Sequence, residues 1–242
     1  EMSTNLTEEA KNAIESYLSK MKIMQKEFHE LIKEEENKEI KLIVFIKHIC
    51  DLKIKENCHE FISFIHFLSQ ISQTHHHKPD IIKIIEDLLL FCKKDIQKHL
   101  QNGQLFSIFK NDKQILLFLI KSKILLLDQS ILSNLKSDKY STFFFPEVKN
   151  ELSKEKFCEI SRNINDDFEK IRERGETNPT LFDILRNDSV NDFIDNNFSS
   201  NYSIFETNPF LNNRQSTLLE LATLFSSMAI FRHLLSRNET LT

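Results

Sequence analysis

Three groups of residues could in principle do chemistry. His75-His76-His77 with Asp80 offers imidazoles and a carboxylate to a divalent metal. Three consecutive histidines do not converge on one helix face, however, so the run reads as a solvated linker. Cys58-His59 and His66 share one expected helix, but Cys58 and His66 stand two turns apart, too far for two ligands of one ion without help. Asp166-Asp167-Phe168-Glu169 is an acidic cluster of the kind that holds magnesium. Its surroundings, residues 163–174, are polar with no apolar stripe opposite, which makes it a solvated helix face. No serine sits in a nucleophile elbow. The only glycines, Gly103 and Gly175, cannot build a phosphate-cradling loop. The expectation is a non-enzymatic chain with no catalytic, metal or cofactor site.

Composition narrows the setting. The 242 residues include 21 Phe but only two Gly, four Pro and no Trp. So few glycines disfavour a turn-rich β-sandwich or barrel. Net charge is −4, without the basic excess of a nucleic-acid binder. Residues 1–156 carry 24 Lys, no Arg and 23 acids, whereas residues 157–242 carry one Lys, seven Arg and 13 acids. That change of character puts a boundary within residues 140–176. Cys50, Cys58, Cys92 and Cys158 have no C-x-x-C spacing and read as buried free thiols, hence an intracellular, cytoplasmic protein. The longest apolar stretch, residues 115–127, is interrupted by Lys121-Ser122-Lys123 and is too short for a membrane span. No apolar signal segment opens the chain.

The elements that would position any site are helical throughout. Residues 5–36 read as one helix capped by Asn5 with Glu8, bearing a seam at Leu6, Ala10, Ile14, Tyr17, Met21, Met24, Phe28 and Leu31. This seam either packs on the following helices or pairs two chains through residues 5–32 as a homodimer. Residues 38–55 form a second helix, with Ile40, Ile43, Val44 and Lys47 at helical period. Asn57 and Glu60 box a third, and Pro79 starts a fourth that runs to Leu100, with Gly103 as a left-handed stop. Two or three short helices fill residues 104–136, with Asn111 and Asp128 as caps. Phe143-Phe144-Phe145-Pro146 reads as an extended loop, either core packing or an exposed recognition element. Helix returns over residues 148–173.

A repeat lies near the C-terminus. Thr217, Leu219, Leu221 and Ala222 match the first helix of an ankyrin unit, and Met228, Ile230, Phe231, Leu234 and Leu235 the second. Leu218 and Ser226 stand where the unit has proline and glycine. A weaker copy starts at Asn178-Pro179-Thr180-Leu181 and continues through Ile184, Leu185, Val190, Phe193 and Ile194, with Arg186-Asn187-Asp188 at the turn. The offset from Leu181 to Leu219 is 38 residues, so the polar stretch 196–213 lengthens the connecting hairpin.

Residues 203–211, Leu218-Leu219-Glu220-Leu221-Ala222 and Ile230-Phe231 resemble the large ankyrin-repeat protein family expanded in parasitic protists. Residues 105–120 and Phe144-Phe145-Pro146-Glu147 resemble the uncharacterised helical region that precedes the repeats in that family. The resemblance covers roughly residues 100–240. It implies a protein-interaction scaffold and brings no catalytic residues.

The expected architecture is therefore all-α. A helical N-terminal domain (5–150) leads through a connecting helix (151–176) into ankyrin-type repeats (177–242), an array expected to run on. The expected ligand is a protein, with no nucleic acid and no membrane. Contacts are expected at Arg186, Asn187, Asp188, Asn212, Asn213 and Arg214. The competing readings are a helical-bundle ligand carrier or enzyme with a pocket among residues 80–135, and a coiled-coil oligomeriser.

Overall fold

The computed structural model describes residues 7–33, 36–75, 78–162, 164, 168–174, 179–198, 201–202 and 216–237. They are helical apart from one two-residue antiparallel pairing, β1 (Asn201–Tyr202) with β2 (Ser216–Thr217). The all-α expectation holds. None of the described helices is long and apolar enough to cross a membrane.

The first helix, α1 (Glu8–Lys33), is opened by Thr7, whose Oγ1 accepts the Ala10 N–H at 3.3 Å. The expected cap Asn5 lies outside the described residues. Only the second half of the seam is buried, at Met24, Phe28 and Leu31. The second helix, α2 (Lys38–Asp51), returns alongside it and buries Phe45 and Ile49. The apolar residues of the expected period face outward: Ile40, Ile43 and Val44 are 61%, 67% and 45% exposed. This helix is apolar nearly all round, so its period does not choose a face. The larger Phe45 does, meeting Phe28 edge-on at 5.5 Å. A 3₁₀ turn at Ile54–Glu56 replaces the expected last turn of this helix.

Helix α3 (Cys58–Thr74) begins at Asn57, whose Oδ1 accepts from His59 N and Glu60 N. The other half of the expected box is taken elsewhere: Glu60 pairs with Lys20 of α1 at 2.9 Å. Ile81, Ile82, Ile85, Leu88, Leu89, Cys92 and Ile96 are buried as their spacing predicts. They lie on two helices rather than one, α4 (Pro79–Phe91) and α5 (Lys93–His99). Gly103 is not a left-handed stop. Leu100 leaves α5 in extended geometry, and Gly103 lies in the first turn of α6 (Asn102–Phe109). The Gln101 N–H donates to Gln104 Oε1 at 3.0 Å there.

Helix α7 (Lys113–Lys121) is capped by Asp112, not Asn111: Asp112 Oδ1 accepts from Ile115 N at 3.0 Å. Asp128 caps α8 (Gln129–Leu135) as expected, accepting from Ile131 N at 2.9 Å. Short helices α9 (Asp138–Ser141) and α10 (Phe145–Val148) replace the expected extended loop. Phe145 is helical despite preceding Pro146, which sits in the first turn. Phe144 is fully buried against Phe143 and Tyr140, while Phe143 and Phe145 are half-buried. Phe144 is core and Phe143 packs against it, while Phe145 meets the exposed Phe157 at 5.3 Å.

The connecting helix is likewise two, α11 (Lys154–Ser161) and α12 (Phe168–Arg174). Arg172 fastens α12 to the preceding body. Its guanidinium is 3% exposed, bonded to Glu147 at 2.5 Å and to Glu169 at 2.8 Å. Lys121 pairs with Glu173 across the same junction. The main core runs from Met24 to Val148. A second, smaller core belongs to α13 (Pro179–Arg186), α14 (Val190–Asp195), α15 (Leu218–Leu224) and α16 (Met228–Ser236).

Candidate interaction surfaces

The two C-terminal hairpins share a turn, bond for bond. After α13 the Asp188 N–H donates to Leu185 O at 3.1 Å and Ser189 N–H to Ile184 O at 3.1 Å. Thirty-eight residues on, Ser226 N–H donates to Thr223 O at 3.1 Å and Ser227 N–H to Ala222 O at 2.8 Å. This is the helix-ending pattern in which a left-handed residue closes the last turn. Asp188 and Ser226 supply it, at φ 49° and 59°. The residues that follow are also alike: Ser189 has φ −81° and ψ 83°, Ser227 φ −79° and ψ 78°. Left-handed φ favours glycine. Asp and Ser occupy it here.

The hairpins are also joined at this point. The Asp188 carboxylate accepts from Ala229 N at 2.8 Å and from Ile230 N at 3.0 Å, capping α16. Ser227 Oγ donates back to Leu185 O at 2.6 Å. Thr217 and Glu220 complete a capping box on α15, at 3.1 and 3.0 Å. Leu218 is buried.

Of the six expected contact residues, Arg186, Asn187 and Asp188 sit together on the first turn. Arg186 is engaged internally, with Asp183 at 2.8 Å and the Phe225 ring at 5.6 Å. Asp188 is the cap just described. Asn187 is exposed. Asn212, Asn213 and Arg214 lie outside the described residues. On α16, Met228 and Leu235 are 53% and 48% exposed and two turns apart, on one face.

A second surface was not read from the sequence. Two adjoining hollows of about 420 and 410 Å³ run between α1 and α3 and share Gln25, Phe67 and Gln70. Tyr17, Leu18 and Met21 line one end, and Phe28, His29 and Ile32 the other. The only signal for it was the α1 seam, whose half-burial could not be known before α3 was placed. The floor is apolar, and Gln25, His29, His66 and Gln70 stand exposed in its walls.

Among the described residues, no three His, Cys, Asp or Glu side chains come together in a metal-holding group. His75 lines the α1/α3 groove, where burial lowers its pKa; His76 and His77 lie outside the described residues. Cys50, Cys58 and Cys158 are exposed, correcting the expectation of buried thiols. Only Cys92 is buried, and burial pushes its thiol up to about 12. Burial and the neighbouring Lys139 bring Lys113, at the start of α7, down to about 8. In the acidic run, Asp166 and Asp167 lie outside the described residues, and Glu169 is the partner of Arg172.

Comparison with family models, curated proteins and solved structures finds no match to this chain.

Proposed function

We propose that this chain is a non-enzymatic protein-interaction scaffold. The helical N-terminal domain caps a short ankyrin-type stack formed by α13–α16 and presents it to a protein partner. The observation that carries the reading is that two helical hairpins 38 residues apart lock to each other at the same turn, Asp188 capping α16 and Ser227 Oγ donating to Leu185 O; the left-handed turn by itself is general, since α7 ends in it at Lys123. Repeat architectures are built in this way: each helical hairpin buries one face, and neighbours stack through the other. Three further features support it. Ala222 is buried where α15 meets its neighbours, and a small residue there allows close approach. β1 and β2 pair antiparallel across the lengthened connection, as the arms of a repeat hairpin would. Met228 and Leu235 leave α16 with an exposed apolar face of the kind on which hairpins stack.

Affinity capture with the full chain and with a chain ending at Glu176, read by mass spectrometry, tests this. The expected result is a protein retained by the full chain and lost with the hairpins. Equal capture by both would move binding to the N-terminal domain and overturn the assignment to the repeats.

A further inference from the structure

Helix α1 runs past the body that carries it. Every side chain from Thr7 to Ser16 is exposed except the half-buried Ala10, whereas Met24, Phe28 and Leu31 are buried. Ile14 and Leu18, 45% and 47% exposed, join Tyr17 and Met21 in one stripe at helical spacing. That stripe leads directly into the α1/α3 groove, whose first hollow is lined by Tyr17, Leu18, Met21 and Phe67. An apolar stripe of this kind, continuous with an apolar groove, calls for a cover.

Charge specifies which cover. The projecting half, residues 8–16, holds three Glu and one Lys; the seated half, residues 20–33, holds four Lys and two Glu. Laid antiparallel on a copy of itself, the helix sets acidic half on basic half twice over. Laid parallel, it sets like on like. A two-fold axis between Tyr17 and Leu18 then matches the apolar positions as well. Ile14 faces Met21 and Tyr17 faces Leu18; the charged residues stand on the flanks and back of the helix and act through the net charge of each half, with Lys20 held by Glu60 at 2.9 Å.

We infer that the occupant of the groove is a second copy of this chain. Its α1 lies antiparallel to the first, with the projecting half of each copy seated on the α1/α3 groove of the other. The pairing is self-complementary and closed, so assembly stops at two.

The test is the mass of the full chain by light scattering over a concentration series. The expected result is a rise from 28.6 kDa toward about 57 kDa, twice the chain mass. Ile14→Glu with Leu18→Glu, both at exposed positions, holds the mass at the single-chain value and leaves the thermal melt at that of the natural chain at the lowest concentration, where both are single. Two charge-swapped chains fix the orientation. Glu9→Lys/Glu15→Lys and Lys22→Glu/Lys26→Glu each remain single alone, and their mixture recovers the doubled mass. A single-chain mass at every concentration overturns the inference. So does a dimer indifferent to Ile14→Glu/Leu18→Glu, or a mixture that fails to pair.

Discussion

In the N-terminal body, Phe61, Phe64, Ile65 and Leu68 of α3 have no exposed surface, and 33 described side chains from Met24 to Val148 join one core. In the C-terminal hairpins only 12 do so, and the joints are made by polar groups at helix ends: Asp188 on α16, Ser227 on Leu185 O, and Thr217 with Glu220. The body tolerates irregular helix ends because its apolar area is large. The hairpins, with fewer buried side chains, are joined by specific bonds at their turns, so long-range burial weighs more in the body and local polar bonds more in the hairpins.

The largest effect expected from this contrast is at the core. Phe64→Ala should cost about 3–5 kcal/mol, and Leu219→Ala about 2–5 kcal/mol. The two should differ in reach. Hydrogen exchange should show Phe64→Ala loosening residues 24–148, while Leu219→Ala loosens 179–237 and leaves α1–α8 protected. Uniform loss of protection from Leu219→Ala would erase the distinction between the regions. Arg172 comes next, since it is where α12 is fastened to the body. Arg172→Ala strands the Glu147 carboxylate and should cost about 3 kcal/mol by denaturant unfolding. A cost near zero would mean that this junction does not hold α12 in place.

Smaller effects sharpen the role of the turns. Ser226→Gly should stabilise the chain by roughly 1 kcal/mol, because glycine adopts the left-handed φ of 59° without steric cost. An unchanged or lowered melting temperature would contradict the turn geometry. The smallest effect lies where the body, too, relies on a cap. The Asn102 amide, then the Ile131 N–H, hold the Asp128 carboxyl below its usual range. Its stabilising share is therefore present above the ordinary carboxylate pKa and fades as pH falls through the lowered value. Asp128→Ala should cost about 1 kcal/mol at neutral pH and nothing in strong acid. A cost that persists in acid would remove the cap from the account.

Several of these features can be read in the residues. The stripe Ile81, Ile82, Ile85, Leu88, Leu89 is apolar on one face only, so its burial follows from spacing. The 38-residue offset is legible because Leu181 and Ile184 recur as Leu219 and Ala222, all four buried. The α2 face is not legible, because Ile40, Ile43 and Val44 compete equally with Leu42, Phe45 and Ile46 until Phe28 is in place. Gly103 misleads because glycine is permitted, not required, to be left-handed, and Leu100 had already ended α5. Thr217-x-x-Glu220 is a capping signature legible in the sequence, and the box forms on α15. Asp188 reads as an exposed turn residue. Its work as a cap on α16, 41 residues away in the chain, is a tertiary fact that no local pattern carries.

That cap offers the most direct measurement of the central claim, that the two hairpins are locked to each other through the first turn. Site-resolved hydrogen exchange should compare the natural chain with Asp188→Ala, watching the amides of Ala229 and Ile230. The account predicts faster exchange at both amides and along α13 and α14, with the N-terminal body unchanged. Unaltered exchange at Ala229 and Ile230 would contradict it.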